Sequence, residues 1–206
     1  MKRISLAIVF ACCTLMLAAQ DGIRVNYVGA KPTISDFVTA FVSAYDDVDE
    51  LEAERDESYN AIKQAWIQHR KRLPMEEGET LTVDERNGYV CYDIKRENML
   101  LRWEMCYWNE ADGKHKLFAY NVACYEDGKY SPGQYDGLTF YRYDNATKRM
   151  TYCDSPGFEA VMGNEDGAWI SYDLPHSGKN ITVTTWLKNG RKQQKILKFN
   201  GSKFSF

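Results

Sequence analysis

The chain has 206 residues, of which 44% are hydrophobic and 27% charged, with a formal net charge of −3. That length sets one domain as the default, with a core large enough to stand without a metal or cofactor. The slightly acidic balance speaks against a nucleic-acid partner, and no apolar run after residue 20 approaches the ~20 residues of a membrane helix.

The N-terminus carries Lys2 and Arg3, an apolar run from Ile4 to Leu17, and the small residues Ala18 and Ala19 before Gln20. This order predicts a signal peptide over residues 1–19, cleaved near Ala19, and an exported chain of the periplasm or cell exterior. Lipidation at Cys12 or Cys13 is the rival expectation, but it strands Thr14 to Ala19 as an apolar tail without a use. Cleavage leaves one domain over 20–206 with a net charge of −5.

Residues 33–73 read as helical. Thr33 follows Pro32 and stands three residues before Asp36, a helix-start spacing, and Ile34, Phe37, Val38, Phe41, Val42 and Tyr45 then recur as a buried stripe. Tyr59, Ile62, Trp66, His69 and Leu73 form a second stripe that stops before Pro74. One helix across both would run about 60 Å, longer than the about 40 Å of a compact domain, so two helices are expected, broken between Asp46 and Ser58.

From residue 81 to 206 the pattern turns to β. Runs of β-branched and aromatic residues alternate with the turn pairs Asn87-Gly88, Asp112-Gly113, Asp127-Gly128, Asn189-Gly190 and Asn200-Gly201. About nine antiparallel strands are expected, in an α+β fold whose N-terminal helices pack on a β-meander closed as a barrel or sandwich. The Gly-containing triplets are not evenly spaced, which excludes a repeat array.

Cys91, Cys106, Cys124 and Cys153 stay after cleavage, and an even number in an oxidising compartment predicts up to two disulfides, with three connectivities open. A two-residue turn at Asp112-Gly113 sets Cys106 opposite Ala119, which argues against a Cys106 to Cys124 bridge. The competing expectation is four buried thiols packing as small hydrophobes.

Motifs of chemistry are sparse. Eight of the twelve residues from Asp46 to Glu57 are acidic, yet the stretch lacks the Asp-x-Asp-x-Asp-Gly order of a calcium loop and reads as a solvated segment. His69, His115 and His176 have no ligand spacing and there is no Cys-x-x-Cys, so no metal site and no cofactor are expected. No nucleophile elbow, Ser-x-x-Lys or phosphate loop appears in the mature chain. Cys124 and His115 would lie about 30 Å apart on one strand, too far for a nucleophile and base. Convergence of two among Glu104, Glu110, Asp136 and Asp173 is the one enzymatic route left, and the balance leans toward a non-enzyme. After Asp173 there is no acid, and Lys179, Lys188, Arg191, Lys192, Lys195, Lys198 and Lys203 give that end a charge of +7.

Aromatic residues crowd the β part: Trp103, Tyr107, Trp108, Phe118, Tyr120, Tyr125, Phe140, Tyr141, Tyr143, Trp169, Tyr172 and Trp186. Alternation puts Trp103 and Tyr107 on one face and Trp108 on the other. One set forms the core and the other is a candidate binding surface, near Trp108, His115, Tyr141 and Tyr143.

The segments Met105-Cys106-Tyr107-Trp108-Asn109, Asp112-Gly113-Lys114-His115-Lys116-Leu117, Phe140-Tyr141-Arg142-Tyr143-Asp144-Asn145-Ala146-Thr147 and Gly178-Lys179-Asn180-Ile181 give the chain, over roughly residues 31 to 204, a resemblance. It resembles small exported proteins of unassigned function from Gram-negative gut anaerobes. The resemblance implies export and brings no catalytic residue with it. The leading expectation is therefore an exported binding module holding a glycan, peptide or apolar ligand on an aromatic-rich sheet face. The alternatives are a structural or inhibitory interaction domain, whose partner is a protein or cell-envelope component, and a glycan hydrolase.

Overall fold

The structure, a computed structural model, describes residues 22–44, 57–133, 136–164 and 167–206. The signal-peptide expectation and the acidic stretch up to residue 56 lie outside the described residues. Helix α1 spans Ile34–Ala44 and α2 spans Glu57–Arg70. At the start of α1 the Asp36 carboxylate accepts from the Thr33 amide at 2.8 Å, one half of the expected reciprocal cap. Of the predicted stripe, Ile34, Phe37, Val38, Phe41 and Val42 are buried, and Tyr45 lies outside the described residues. The Tyr59 hydroxyl of α2 donates to the Phe41 and Val42 carbonyls, satisfying free acceptors at the end of α1. Helix α2 closes with Arg72 in the left-handed region and the Leu73 amide bonded to the Gln68 carbonyl, just before Pro74.

Among the described residues, twelve strands form two antiparallel sheets, where about nine in one meander were expected. The large sheet holds β1 (Ile23–Arg24), β2 (Glu79–Asp84), β3 (Tyr89–Arg96), β4 (Met99–Asn109), β5 (His115–Glu126), β6 (Lys129–Tyr130), β7 (Gly137–Asp144) and β8 (Arg149–Cys153). Its order is β1-β8-β7-β5-β4-β3-β2, with β6 pairing β5 to one side. It curls into an open half-barrel, not the closed barrel or two-layer sandwich expected. The small sheet, β9 (Trp169–Asp173), β10 (Ile181–Trp186), β11 (Lys192–Phe199) and β12 (Phe204–Ser205), has the order β12-β11-β10-β9. The five turn pairs all lie in turns or connections; at Asp127-Gly128 both residues have positive φ, 51° and 72°, the type I′ geometry that suits a two-residue hairpin.

Each face of the large sheet carries its own core. Against the helices, Phe37 meets Tyr143 edge-on at 5.1 Å and Tyr107 at 5.2 Å, and Phe41 meets Tyr120 at 4.8 Å. Against the small sheet, Trp108 packs on Phe204 and Phe199 at 5.3 and 5.9 Å.

The expected disulfides are absent: Cys91, Cys106, Cys124 and Cys153 are free thiols. The register explains it. Cys106 does stand opposite Ala119, as the turn predicted, and Cys91 opposite Glu104, so both point toward the small sheet but stand diagonally, at about 7–8 Å, instead of opposite each other. Cys124 pairs with Leu101 and points toward the helices, so it reaches none of the others. Cys153 shares the small-sheet side through Phe140, Ala119 and Cys106, three strands from Cys106 and about 14 Å away.

Candidate functional site

The small sheet meets the large one edge-first. In an antiparallel strand, alternate residues turn their amide and carbonyl away from the neighbour. On β9 and just beyond, these are Ile170, Tyr172 and Leu174. The Ile170 amide donates to the Met162 carbonyl at 2.8 Å, and Asn121 Nδ2 donates to the Tyr172 carbonyl at 2.8 Å. The Leu174 amide donates to Glu104 Oε2 at 3.2 Å, while Glu104 Oε1 accepts from the Tyr89 hydroxyl at 2.6 Å. Two buried polar residues of the large sheet, Asn121 and Glu104, thus replace the missing neighbour strand. Burial raises the Glu104 carboxyl to about 7, although the Tyr89 and Leu174 donors favour its charge.

Standing on its edge, the small sheet has two sides. One closes the second core through Tyr172, Leu174, Ile181, Val183 and Leu197. Along the other run Trp169, Trp186 and Lys192 in one row and Ser171, Thr184 and Gln194 in the next, as the registers of β9, β10 and β11 require. Between this side and the β3–β4 hairpin lies a cleft of about 440 Å³, lined by Lys95, Arg102, Tyr125, Ser171, Asp173, Thr184, Trp186 and Gln194 among others.

Polar contacts orient the groups of this cleft. Arg102 grips Asp93 with two bonds, Nε to Oδ1 and Nη2 to Oδ2, each 2.8 Å, and its guanidinium retains further N–H donors. Burial opposes the charge on Asp93, but Arg102 outweighs it and holds that carboxyl below the usual range. Burial raises the Asp173 carboxyl, with Arg102 and Lys192 opposing. The Trp186 Nε1–H donates to Ser171 Oγ at 2.8 Å, the Tyr125 ring meets Trp186 edge-on at 6.2 Å, and Lys192 Nζ lies 5.5 Å from the Trp186 ring centre. Gln194 Nε2 donates to Thr184 Oγ1 at 3.2 Å.

The sequence-predicted binding residues do not come together on one surface. Trp108 is buried in the second core, its Nε1–H donating to the Lys179 carbonyl at 3.0 Å. Tyr143 is fully buried in the first core, and Tyr141 stands opposite Phe118 on that same helix side. The large sheet separates them from Trp108. His115 sits at the β4–β5 turn, with Nδ1 2.5 Å from Asp112 Oδ2 and Nε2 3.3 Å from Asp144 Oδ2, clasping that turn to the β7–β8 turn. The Asp112 bond raises His115, and the same bond with the Lys114 amide lowers Asp112 to about 2.

Among the described residues, Glu110, Asp112 and His115 have the spacing of metal ligands. Glu110 is already bonded by Arg142 at 2.8 Å, and both His115 nitrogens face carboxylates. The four acids weighed for catalysis are dispersed: Glu104 under β9, Asp173 in the cleft, Glu110 in the turn clasp, and Asp136 accepting from the Cys124 amide at 2.8 Å.

Sequence reasoning named Tyr125, Trp169 and Trp186 only as aromatic content and missed Arg102 and Asp93. The pair depends on a two-residue turn at Glu97-Asn98, which carries no glycine and sets Asp93 opposite Arg102. No protein-family model, no curated protein and no solved structure matches this chain.

Proposed function

We propose that this chain is an exported binding module that holds a saccharide in the cleft between the β3–β4 hairpin and the Trp186 side of the small sheet. The carrying observation is the cleft's composition: indole and phenol rings stand among closely spaced donors and acceptors of both charge signs, Arg102, Lys192, Gln194, Thr184 and Asp173. A sugar ring offers the matching pattern, an apolar C–H face for an aromatic side chain and hydroxyls that both donate and accept. Export enters the reading from the N-terminal pattern of Lys2, Arg3 and the apolar run.

Binding is favoured over hydrolysis because, of the four acids weighed for catalysis, Asp173 alone lines the cleft. Asp93 is held by Arg102, and Glu104 is sealed beneath β9, bonded to Tyr89 and Leu174. Retaining or inverting chemistry needs two free acids flanking the bond.

The test is a panel of neutral and acidic oligosaccharides titrated by calorimetry against the wild type and Trp186→Ala. The expected result is saturable binding of one sugar class, weakened at least about tenfold by the substitution, or roughly 1.4 kcal/mol. Affinity for a sugar that Trp186→Ala leaves unchanged would remove the cleft from the account.

A further inference from the structure

The two long edges of the small sheet are treated oppositely. The β9 edge is covered by Asn121, Glu104 and the Met162 carbonyl. On the far side of β11, β12 pairs only with Lys198 and Phe199, and among the described residues no strand pairs with Lys192 to Leu197 on that side.

The register tells which groups are open. Leu187 donates its amide to the Arg191 carbonyl, and the β10–β11 pairing continues from there through Trp186 opposite Lys192. Gln193, Lys195 and Leu197 therefore exchange bonds with β10, while Lys192, Gln194 and Ile196 turn their amides and carbonyls outward. The β12 side agrees: the Asn200 amide donates to the Lys203 carbonyl, which places Lys198 and Ile196 in the same outward set. Residues Lys192 through Ile196 are all exposed.

The side chains around this edge share one sign. From Lys188 to Lys203 the chain carries Lys188, Arg191, Lys192, Lys195, Lys198 and Lys203 and no acid. Two apolar footholds lie among them, Ile196 at 42% exposure and Phe206 at 70%, with Lys195 Nζ 5.5 Å from the Phe206 ring centre. Like charges directly opposite across a strand pair are destabilising. An antiparallel pairing of β11 with a second copy of itself would bring two wholly basic edges side by side, whereas an acidic strand would neutralise this one.

We propose that β11 accepts an extended acidic segment of a partner protein as an added antiparallel strand. The partner's carboxylates meet Lys192 and Lys195, and one of its apolar side chains covers Ile196. Strand addition draws affinity from backbone bonds and specificity from alternate side chains, and both halves are present here. The alternative use of edge lysines, keeping other strands away, predicts no such complex.

The experiment uses the protein with the blocked peptide Val-Glu-Thr-Thr-Glu, which laid antiparallel sets valine against Ile196 and glutamates against Lys195 and Lys192, read by amide hydrogen exchange in NMR. The expected result is slowed exchange at the outward amides of Lys192, Gln194 and Ile196, with Gln193 and Lys195, already bonded to β10, unchanged. Ile196→Pro deletes an outward amide that no ladder bond uses, a substitution an edge strand tolerates. It should leave the melting transition in place and weaken the peptide at least about tenfold, as should raising salt from 0.05 to 0.5 M. Absence of protection, protection without the alternation, or equal binding of heparin and the peptide would overturn the proposal.

Discussion

The two faces of the large sheet both bury aromatic cores, but by different means. The helix side is sealed mainly with apolar and aromatic side chains, Phe37, Phe41, Trp66, Phe118 and Tyr143, with the buried Lys116 bonded to Asn109 at its margin. The small-sheet side has an apolar half around Trp108 and Phe204, and a polar half where Glu104 and Asn121 are buried and Asp93 grips Arg102. The difference lies in what arrives. A helix brings its interior backbone bonds already made, so only its stripe needs cover. A strand docking by its edge brings unpaired amides and carbonyls, and the surface that receives it must supply polar partners. The polar half of that face, built to receive β9, is also what gives the cleft its charge and hydrogen-bonding capacity.

Truncation of the apolar anchors should show the two faces as equals. Phe41→Ala on the helix side and Trp108→Ala on the other should each cost about 3–5 kcal/mol in chemical denaturation, both being nearly or fully buried. A cost confined to Phe41→Ala would mean that the small sheet contributes little to the fold.

Glu104 should set the faces apart. Glu104→Ala strands the Tyr89 hydroxyl and the Leu174 amide and should cost about 2–4 kcal/mol. Its carboxyl rises from the ordinary 4.5 to about 7 in the folded protein, so the native state keeps a proton that the unfolded chain releases. Stability from this group is therefore complete below about pH 4.5, falls as the pH climbs through about 7, and is level beyond, with a total loss on the order of 3 kcal/mol. Denaturation midpoints across that range should show the decline, and Glu104→Gln should flatten it.

The turn clasp gives the smallest expected effect. His115 is raised by Asp112, so its contribution is present below its unfolded value and fades as the pH rises through the folded one. Asp112 is lowered to about 2, so its share is lost only as the pH falls through that value. His115→Ala should lower the melting temperature by no more than a few degrees at pH 5, and by less at pH 9.

Much of this fold is legible in the sequence. Nine of the described strands, the stripe of α1 and the Tyr59, Ile62 and Trp66 part of the second stripe are marked by period and by Asn-Gly and Asp-Gly pairs, whereas His69 and Leu73, predicted in that stripe, are exposed. The division into two sheets is not marked, because the connection from Asp154 to Ala168 has no periodic pattern, and strands of two residues such as Ile23–Arg24 leave none. Alternation correctly set Trp108 against Trp103 and Tyr107. It joined Trp108 to Tyr141 wrongly, because only the β5–β7 register, with Phe118 opposite Tyr141, assigns Tyr141 to the helix side. Arg102 and Asp93 were hidden behind Glu97-Asn98, a turn that lacks the usual glycine although Glu97 takes a φ of 48°. The edge-first docking of β9 was beyond reach, since Glu104 and Asn121 read as ordinary strand polars until their partners are seen.

The most direct test of the cleft is to titrate the isotope-labelled protein with the tightest sugar of the panel and map the amide shifts by NMR. The account predicts shifts gathered at Lys95 to Arg102, Tyr125, Ser171 to Asp173 and Thr184 to Gln194, the elements that line the cleft. Shifts gathered instead in the groove beside Tyr152 and Phe158, with the Trp186 region still, would contradict it.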